Sequence, residues 1–415
     1  MVASGTAPGS GSRRRRAWTW LALSLAVLAV AGGGIIWGPH LDVAAPPTRW
    51  DGPLTLPETG TTSAWPQFGR DAGHAGFLAG FGALRGQVAW TRPTGGPIIS
   101  SPVGGGGLVY VASSDAYLYA LQTVDGGIRW RYAIGPKLVN ATPVLAGGLL
   151  LVAGDYTFLN AVDVQTGLRI WRYDSGDSVL APPAADPVGG LALLAGGGSL
   201  FALDLRDGSR RWELQLTDNT PPGWPSVGAP AAAAGNVYWA PGVGNRLFAL
   251  AETNGTTLWS FDAGDRLAST PVIGAGTVYL ATWRGGVFAL DATTGTVRWH
   301  RTLGGGRPGE GSESTPALDG PRLFVGSYQG LLYALDTRTG IDIWQFRTGG
   351  PILAAPTVGG SLVYCASEDG HLYALDRATG ALSWTLLLTE LRSSPALLDN
   401  RLIVGTMAGT VVGVR

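Results

Sequence analysis

The sequence predicts an all-β fold: an eight-bladed β-propeller of four-stranded blades, closed by the N-terminal strand and preceded by one N-terminal transmembrane helix. Three observations carry the prediction. Glycine stands four residues before tryptophan at Gly126/Trp130, Gly167/Trp171, Gly208/Trp212, Gly255/Trp259, Gly295/Trp299, Gly340/Trp344 and Gly380/Trp384, with the tryptophans 41, 41, 47, 40, 45 and 40 residues apart. A period near 40 built from short strands marks a propeller or a similar array. Small-residue clusters ending in proline, such as Ser100-Ser101-Pro102 and Ser314-Thr315-Pro316, each precede runs of β-branched and aromatic residues, the composition of half-buried and buried strands. Finally, an eighth interval of the same length, Gly86 to Trp90, lies at the front, while the last strand set stops at Arg415 before any turn or tryptophan. The N-terminal strand is therefore expected to complete the last blade, which removes the sheet edges an open array would expose.

The chain divides into four segments. Residues 1–16 are a tail ending in Arg13 to Arg16, and residues 17–38 are an uncharged stretch of 22 residues, long enough to span a bilayer as a helix. Trp18, Trp20 and Trp37 lie near its ends, where interfacial aromatics concentrate, and the arginines are expected to hold the N-terminal side in the cytoplasm. The same stretch also reads as a cleaved signal peptide, with Ala29-Val30-Ala31 as a small-x-small site. Both readings export the remainder. The expected location is the cell membrane, single-pass, with the propeller on the extracytoplasmic side, or secreted if the segment is cleaved. Residues 39–63 contain Pro39, Pro46, Pro47, Pro53 and Pro57 and read as a semi-rigid linker. Residues 64–415 form the propeller.

Composition narrows the function. Formal net charge is zero and only 14% of residues are charged, so no field draws the protein to nucleic acid. Cys365 is the only cysteine; it rules out an intrachain disulfide and sits in a strand-like run as a small core residue. His40, His74, His300 and His371 are scattered without metal-ligand spacing. No metal, cofactor or catalytic residue is expected.

Each unit ends in a turn typified by Asp376-Arg377-Ala378-Thr379-Gly380 and then Trp384. Asp and Thr side chains bond nearby amides in such turns, and glycine supplies the positive φ. These units resemble the pyrroloquinoline-quinone-type (PQQ-like) repeat, with its Ala-x-Asp-x-x-Thr-Gly-x-x-x-Trp docking motif. The lead-in Trp65-Pro66-Gln67-Phe68-Gly69-Arg70-Asp71 is similar to the segment that opens many members, BamB-like exported proteins among them. The resemblance implies that Trp90, Trp130, Trp171, Trp212, Trp259, Trp299, Trp344 and Trp384 pack between blades. It also admits a quinoprotein dehydrogenase. Such enzymes add long insertions, an adjacent cysteine pair and a calcium site, whereas this chain has one cysteine and short loops, so PQQ with calcium is not expected.

Length variation points to the binding face. From each cluster proline to the next motif tryptophan the distance is 28 to 30 residues, but from tryptophan to the following proline it runs from 11 to 18. The long connections are Thr217 to Ser226 and Gly304 to Ser312, on the one face where insertions mark binding. The position three before each proline is expected to line the channel mouth there; it is polar at Asn140, Glu313 and Arg392. These three either contact a ligand or partner or form a hydrated ion pair. The expected function is a membrane-tethered, exported, non-catalytic binding module or scaffold for a protein partner in the cell envelope, in BamB-like assembly or in sensing. The alternative is a PQQ-dependent dehydrogenase-type quinoprotein.

Overall fold

In a computed structural model, the structure describes residues 49–53, 64–135, 142–154, 157–176, 181–196, 198–216, 228–241, 244–304 and 311–415. The expected anchor at 17–38 lies outside them. Among the described residues every regular element is a β-strand, and none is a helix long and apolar enough to cross a membrane.

Eight antiparallel blades of four strands form the ring, and the sheet of blade 7 is extended by a fifth, parallel strand. Blade 1 runs from its inner strand Val103–Gly105 through Leu108–Ala112 and Tyr117–Gln122 to its outer strand Ile128–Ala133. Blades 2 to 7 repeat this order, with inner strands at Val144–Ala146, Ala184–Asp186, Ala231–Ala233, Val272–Gly274, Ala317–Leu318 and Thr357–Gly359. In blade 8 the strands Ala396–Leu398, Arg401–Gly405 and Thr410–Val414 are completed by Val88–Pro93, which pairs antiparallel with Thr410–Val414. The expected closure is made. Inner strands adjoin their neighbours all the way round, blade 8 returning to blade 1.

Burial follows position in the blade. Second strands such as Leu149–Gly154 are buried throughout, because sheets cover both their faces. Outer strands alternate, and in Ile128–Ala133 only Trp130 is buried. The turn aspartates behave as the sequence implies: Asp376 accepts from the amides of Ala378 and Thr379 and from the Thr379 hydroxyl.

The tryptophans weld the blades through contacts that the interval within one unit does not reveal. Each indole N–H donates to a carbonyl in the turn of the next blade, at 2.8–3.1 Å, from Trp90 to Thr123 round to Trp384 to Leu84. The ring then lies against the next blade's motif glycine. A Cβ added at Gly126 would meet Trp90 at 2.5 Å, and the other seven glycines repeat this at 2.5–2.8 Å. All eight adopt φ of 70–74°. Glycine is therefore required twice over, by backbone angle and by the neighbouring indole.

The proline clusters also cross between blades. At five of the eight clusters the residue before the proline donates its N–H to the hydroxyl at the same position in the next blade: Ser101 to Thr142, Ala229 to Thr270, Thr270 to Thr315, Ala355 to Ser394, and Ser394 on to Ser101. The acceptor hydroxyl is missing where blade 3 has Ala181-Pro182-Pro183, at Ala229 of blade 4 and at Ala355 of blade 7.

The lead-in circles the axis inside the ring of inner strands. Trp65 exchanges two backbone bonds with Gly104 of blade 1, and Pro66, Ala72, Gly73, Ala75 and Gly76 each accept from the middle or second residue of an inner strand, in blades 2, 4, 5, 6 and 7. In blade 3 the buried Gln67 does this with its side chain, bonding both the N–H and C=O of Ala185. Phe77–Leu78 then pairs parallel with Thr357–Gly359. Seven inner edges are thus satisfied by one passing segment, as buried backbone requires. Before it, Trp50 and Gly52 bond Arg206, and Pro53 accepts from Gly148, so the chain joins the ring on the face of the inner hairpins and motif turns.

Candidate functional site

The opposite face carries the connections from each outer strand to the next inner strand and the crests of the second-to-third strand hairpins. Among the described residues, the crests of blades 1, 5, 6, 7 and 8 are each pinned by the backbone to the connection beside them. The N–H groups of Ser114, Trp283, Tyr328, Glu368 and Met407 donate to the carbonyls of Pro97, Arg266, Gly311, Pro351 and Glu390, at 2.9–3.0 Å. Across these five blades the framework is the same while the crest side chain varies. These crest residues escaped the sequence reasoning. Their signal was a variable residue directly after a serine or threonine that closes the second strand, as in Ser327-Tyr328 and Ser367-Glu368.

Two charged groups gather at this mouth. Glu313, on blade 6, accepts from Arg266 at 3.0 Å. It also takes a hydrogen bond from Tyr328, whose phenol is pushed up first by burial and then by that carboxylate. Arg392, on blade 8, donates to Glu390 at 2.9 Å and lies 2.8 Å from Glu368 of blade 7. Glu313 and Arg392 both reach the mouth but do not pair with each other, because each has an opposite charge closer on an adjoining loop. Asn140 lies outside the described residues, as do residues 217–227 and 305–310 of the two long connections. Arg266, Glu390 and Arg392 are 40–43% exposed in their side chains, and pairs so wet stabilise a fold by only about 0–1 kcal/mol. Their value to folding is small.

Other titratable groups serve the scaffold. Asp115 and Asp369 staple crest to connection, accepting from the amides of Gly95 and Gly349 and from the hydroxyls of Tyr119 and Tyr373. Cys365 is fully buried in blade 7, and burial pushes its thiol up. On the far face the turn residue of one blade meets the inner hairpin of the blade before it. Thr123 donates to Asp399 at 2.6 Å, Arg377 lies 3.4 Å from Asp319, and Glu252 meets Asp186. Burial, then the hydrogen bond and charge of Asp186, raise Glu252 from 4.5 to about 7. This carboxylate pair is another variant of the same seam. Among the described residues no three His, Cys, Asp or Glu side chains converge as a metal site.

Eight closed blades and eight docked indoles define a PQQ-like repeat β-propeller. A family model described as "Outer membrane protein assembly factor BamB" matches residues 74–223, 219–315 and 306–415, and the chain belongs to that family. No curated protein sequence matches it. Among solved structures it is similar to BamB from Moraxella catarrhalis, with 19% identity over 80% of this chain and 97% of that one and a TM-score of 0.63. It is similar also to the quinohemoprotein alcohol dehydrogenase ADHIIG from Pseudomonas putida HK5, with 14% identity over 89% and 82% of the two chains and a TM-score of 0.71. The computationally designed Ika8 protein gives 14% identity over 79% and 99%, with a TM-score of 0.67. At such identities the likeness establishes the fold.

Proposed function

We propose that this protein is a non-catalytic, exported binding module that engages a protein partner in the cell envelope through the mouth face, in a BamB-like or sensory role. The observation that carries this is the arc of partly exposed charges on blades 5 to 8, Arg266, Glu313, Glu368, Glu390 and Arg392, held beside backbone-pinned crests. Partner surfaces use such charges for register and selectivity more than for raw affinity. The lead-in lines the inner strands, and Trp50 bonds the other face of the ring, away from the mouth charges. Family membership supports the reading. We place the propeller outside the cytoplasm, held through residues 17–38.

The dehydrogenase reading draws on the quinohemoprotein neighbour. The donor chemistry argues against it. The mouth carboxylates Glu313, Glu368 and Glu390 are each met by an arginine, and one buried cysteine cannot form an adjacent cysteine pair.

The test is crosslinking in native envelope with the full chain and with Arg392→Glu, which reverses one charge at little cost to folding. A reproducible partner captured by the native chain and lost with the variant is the expected result. No reproducible partner, or capture insensitive to the reversal, would defeat the mouth-face reading. Dye-linked oxidation of alcohols by protein supplied with PQQ and calcium would establish the rival.

A further inference from the structure

Among the described crests, one carries an indole. Blade 5 places Trp283 where blades 1, 6, 7 and 8 carry Ser114, Tyr328, Glu368 and Met407. Unlike the eight docking tryptophans, it joins no blade seam, and it is partly exposed on the mouth face. It lines a groove of about 380 Å³ between blades 4 and 5, together with Asn245, Gly264, Asp265, Arg266 and Arg284.

We propose that this groove is a binding site for a neutral oligosaccharide. Three properties of the lining select that chemistry. First, its charges are balanced: Arg266 is bonded to Glu313 at 3.0 Å, and Arg284 lies 3.9 Å from Asp265. A ligand of net charge would have to displace one of these pairs.

Second, three of the main-chain donors along the groove are already spent. The N–H of Trp283 goes to the carbonyl of Arg266, that of Arg284 to Asp265, and that of Gly264 to Asp262. An extended peptide adding itself as a strand relies on free backbone groups, and these donors are taken. Recognition here falls to side chains.

Third, the available side chains are an aromatic surface surrounded by planar, forked hydrogen-bonding groups. The Arg266 guanidinium sits 5.7 Å from the Trp283 ring centroid, and its Nε is buried without a partner. The Asn245 amide, the Asp265 carboxylate and the exposed Arg284 guanidinium complete the set. Such forks match pairs of neighbouring hydroxyls, while an indole packs against the apolar C–H face of a pyranose ring. The volume lies at the lower end of small-molecule sites, which suits a short oligosaccharide segment. The inference does not depend on the mouth charges meeting a protein partner, since binding here is read with purified protein alone.

The experiment is calorimetric titration of the full chain with neutral oligosaccharides, cellotetraose first and then a panel differing in linkage and stereochemistry. At least one member is expected to bind, with affinity falling about tenfold or more in Trp283→Ala and recovering in Trp283→Phe. Arg284→Ala, altering an exposed side chain, should also weaken binding, and it carries the decision if Trp283→Ala does not fold. Absence of binding across the panel, or binding unchanged in these variants, overturns the proposal. So does a peptide that binds the groove and loses affinity with Trp283→Ala while no sugar does.

Discussion

At Gly295 an added Cβ would lie 2.6 Å from the Trp259 ring while the backbone holds φ at +72°. The side chain that forbids substitution there belongs to the preceding blade. The interval of four read along the chain thus joins two residues that serve different seams, and only the closed ring shows which tryptophan each glycine accommodates. Seam chemistry also varies residue by residue on the far face, with pH as the readout. Glu252 beside Asp186 is raised from 4.5 to about 7, chiefly by burial. Its proton is held more firmly in the folded chain than in the unfolded one, so between these values the folded state carries more bound protons. Stability from this site is therefore full below about pH 4.5 and declines as pH rises through about 7. Asp291 works in the opposite sense: held near 2 by its bond from Arg298 and by the turn amides, it stabilises above about pH 4 and loses that contribution as pH falls towards 2. Thermal unfolding of Glu252→Gln should show a flatter profile than the native chain from about pH 5 to 8, with a higher Tm at the alkaline end. An unchanged slope would place the titration elsewhere.

Elements were legible in the sequence to the degree that they repeat. Strand sets, turns and the closing strand follow from periodic glycine, tryptophan and proline, because each blade solves the same packing problem. The lead-in does not repeat, and its role was hidden: nothing in Trp65-Pro66-Gln67-Phe68-Gly69 announces that successive carbonyls will satisfy successive blades. The mouth was half legible. Spacing placed Glu313 and Arg392 at it, but their partners Arg266, Glu368 and Glu390 come from other loops, and pairing across blades leaves no mark in the spacing within one. Gln67 tests the lead-in as an element. It is buried and its amide replaces a strand for Ala185, donating to the carbonyl and accepting from the N–H. Gln67→Leu keeps the bulk and removes both bonds. Leaving two buried backbone groups unpaired should cost about 2–4 kcal/mol, read as a lower midpoint in urea with an unchanged slope. A change within about 0.5 kcal/mol would mean that the lead-in is only loosely coupled to the ring.

For the whole molecule, the decisive feature is that the ends of the propeller meet. Val88–Pro93 supplies the outer strand of blade 8, the backbone of Arg415 bonds both Arg85 and Gln87, and Trp384 reaches back to the carbonyl of Leu84. A blade assembled from distant parts of the chain couples the first residues to the last, so blades 7, 8 and 1 cannot be independent of residues 64–93. Truncation separates this from an additive array, in which each repeat contributes its own stability. A chain starting at residue 64 keeps the lead-in and the closing strand, and should unfold in one transition with a Tm within a few degrees of the full chain. A chain starting at residue 94 bares the edge of Thr410–Val414 and removes the lead-in acceptors from seven inner strands. It is expected to lose the near-ultraviolet signal of its packed indoles and to aggregate through the open edge. Were that shorter chain instead monomeric, with native-like aromatic signal and a transition only slightly lowered, the ring would be stabilised blade by blade and closure would be incidental.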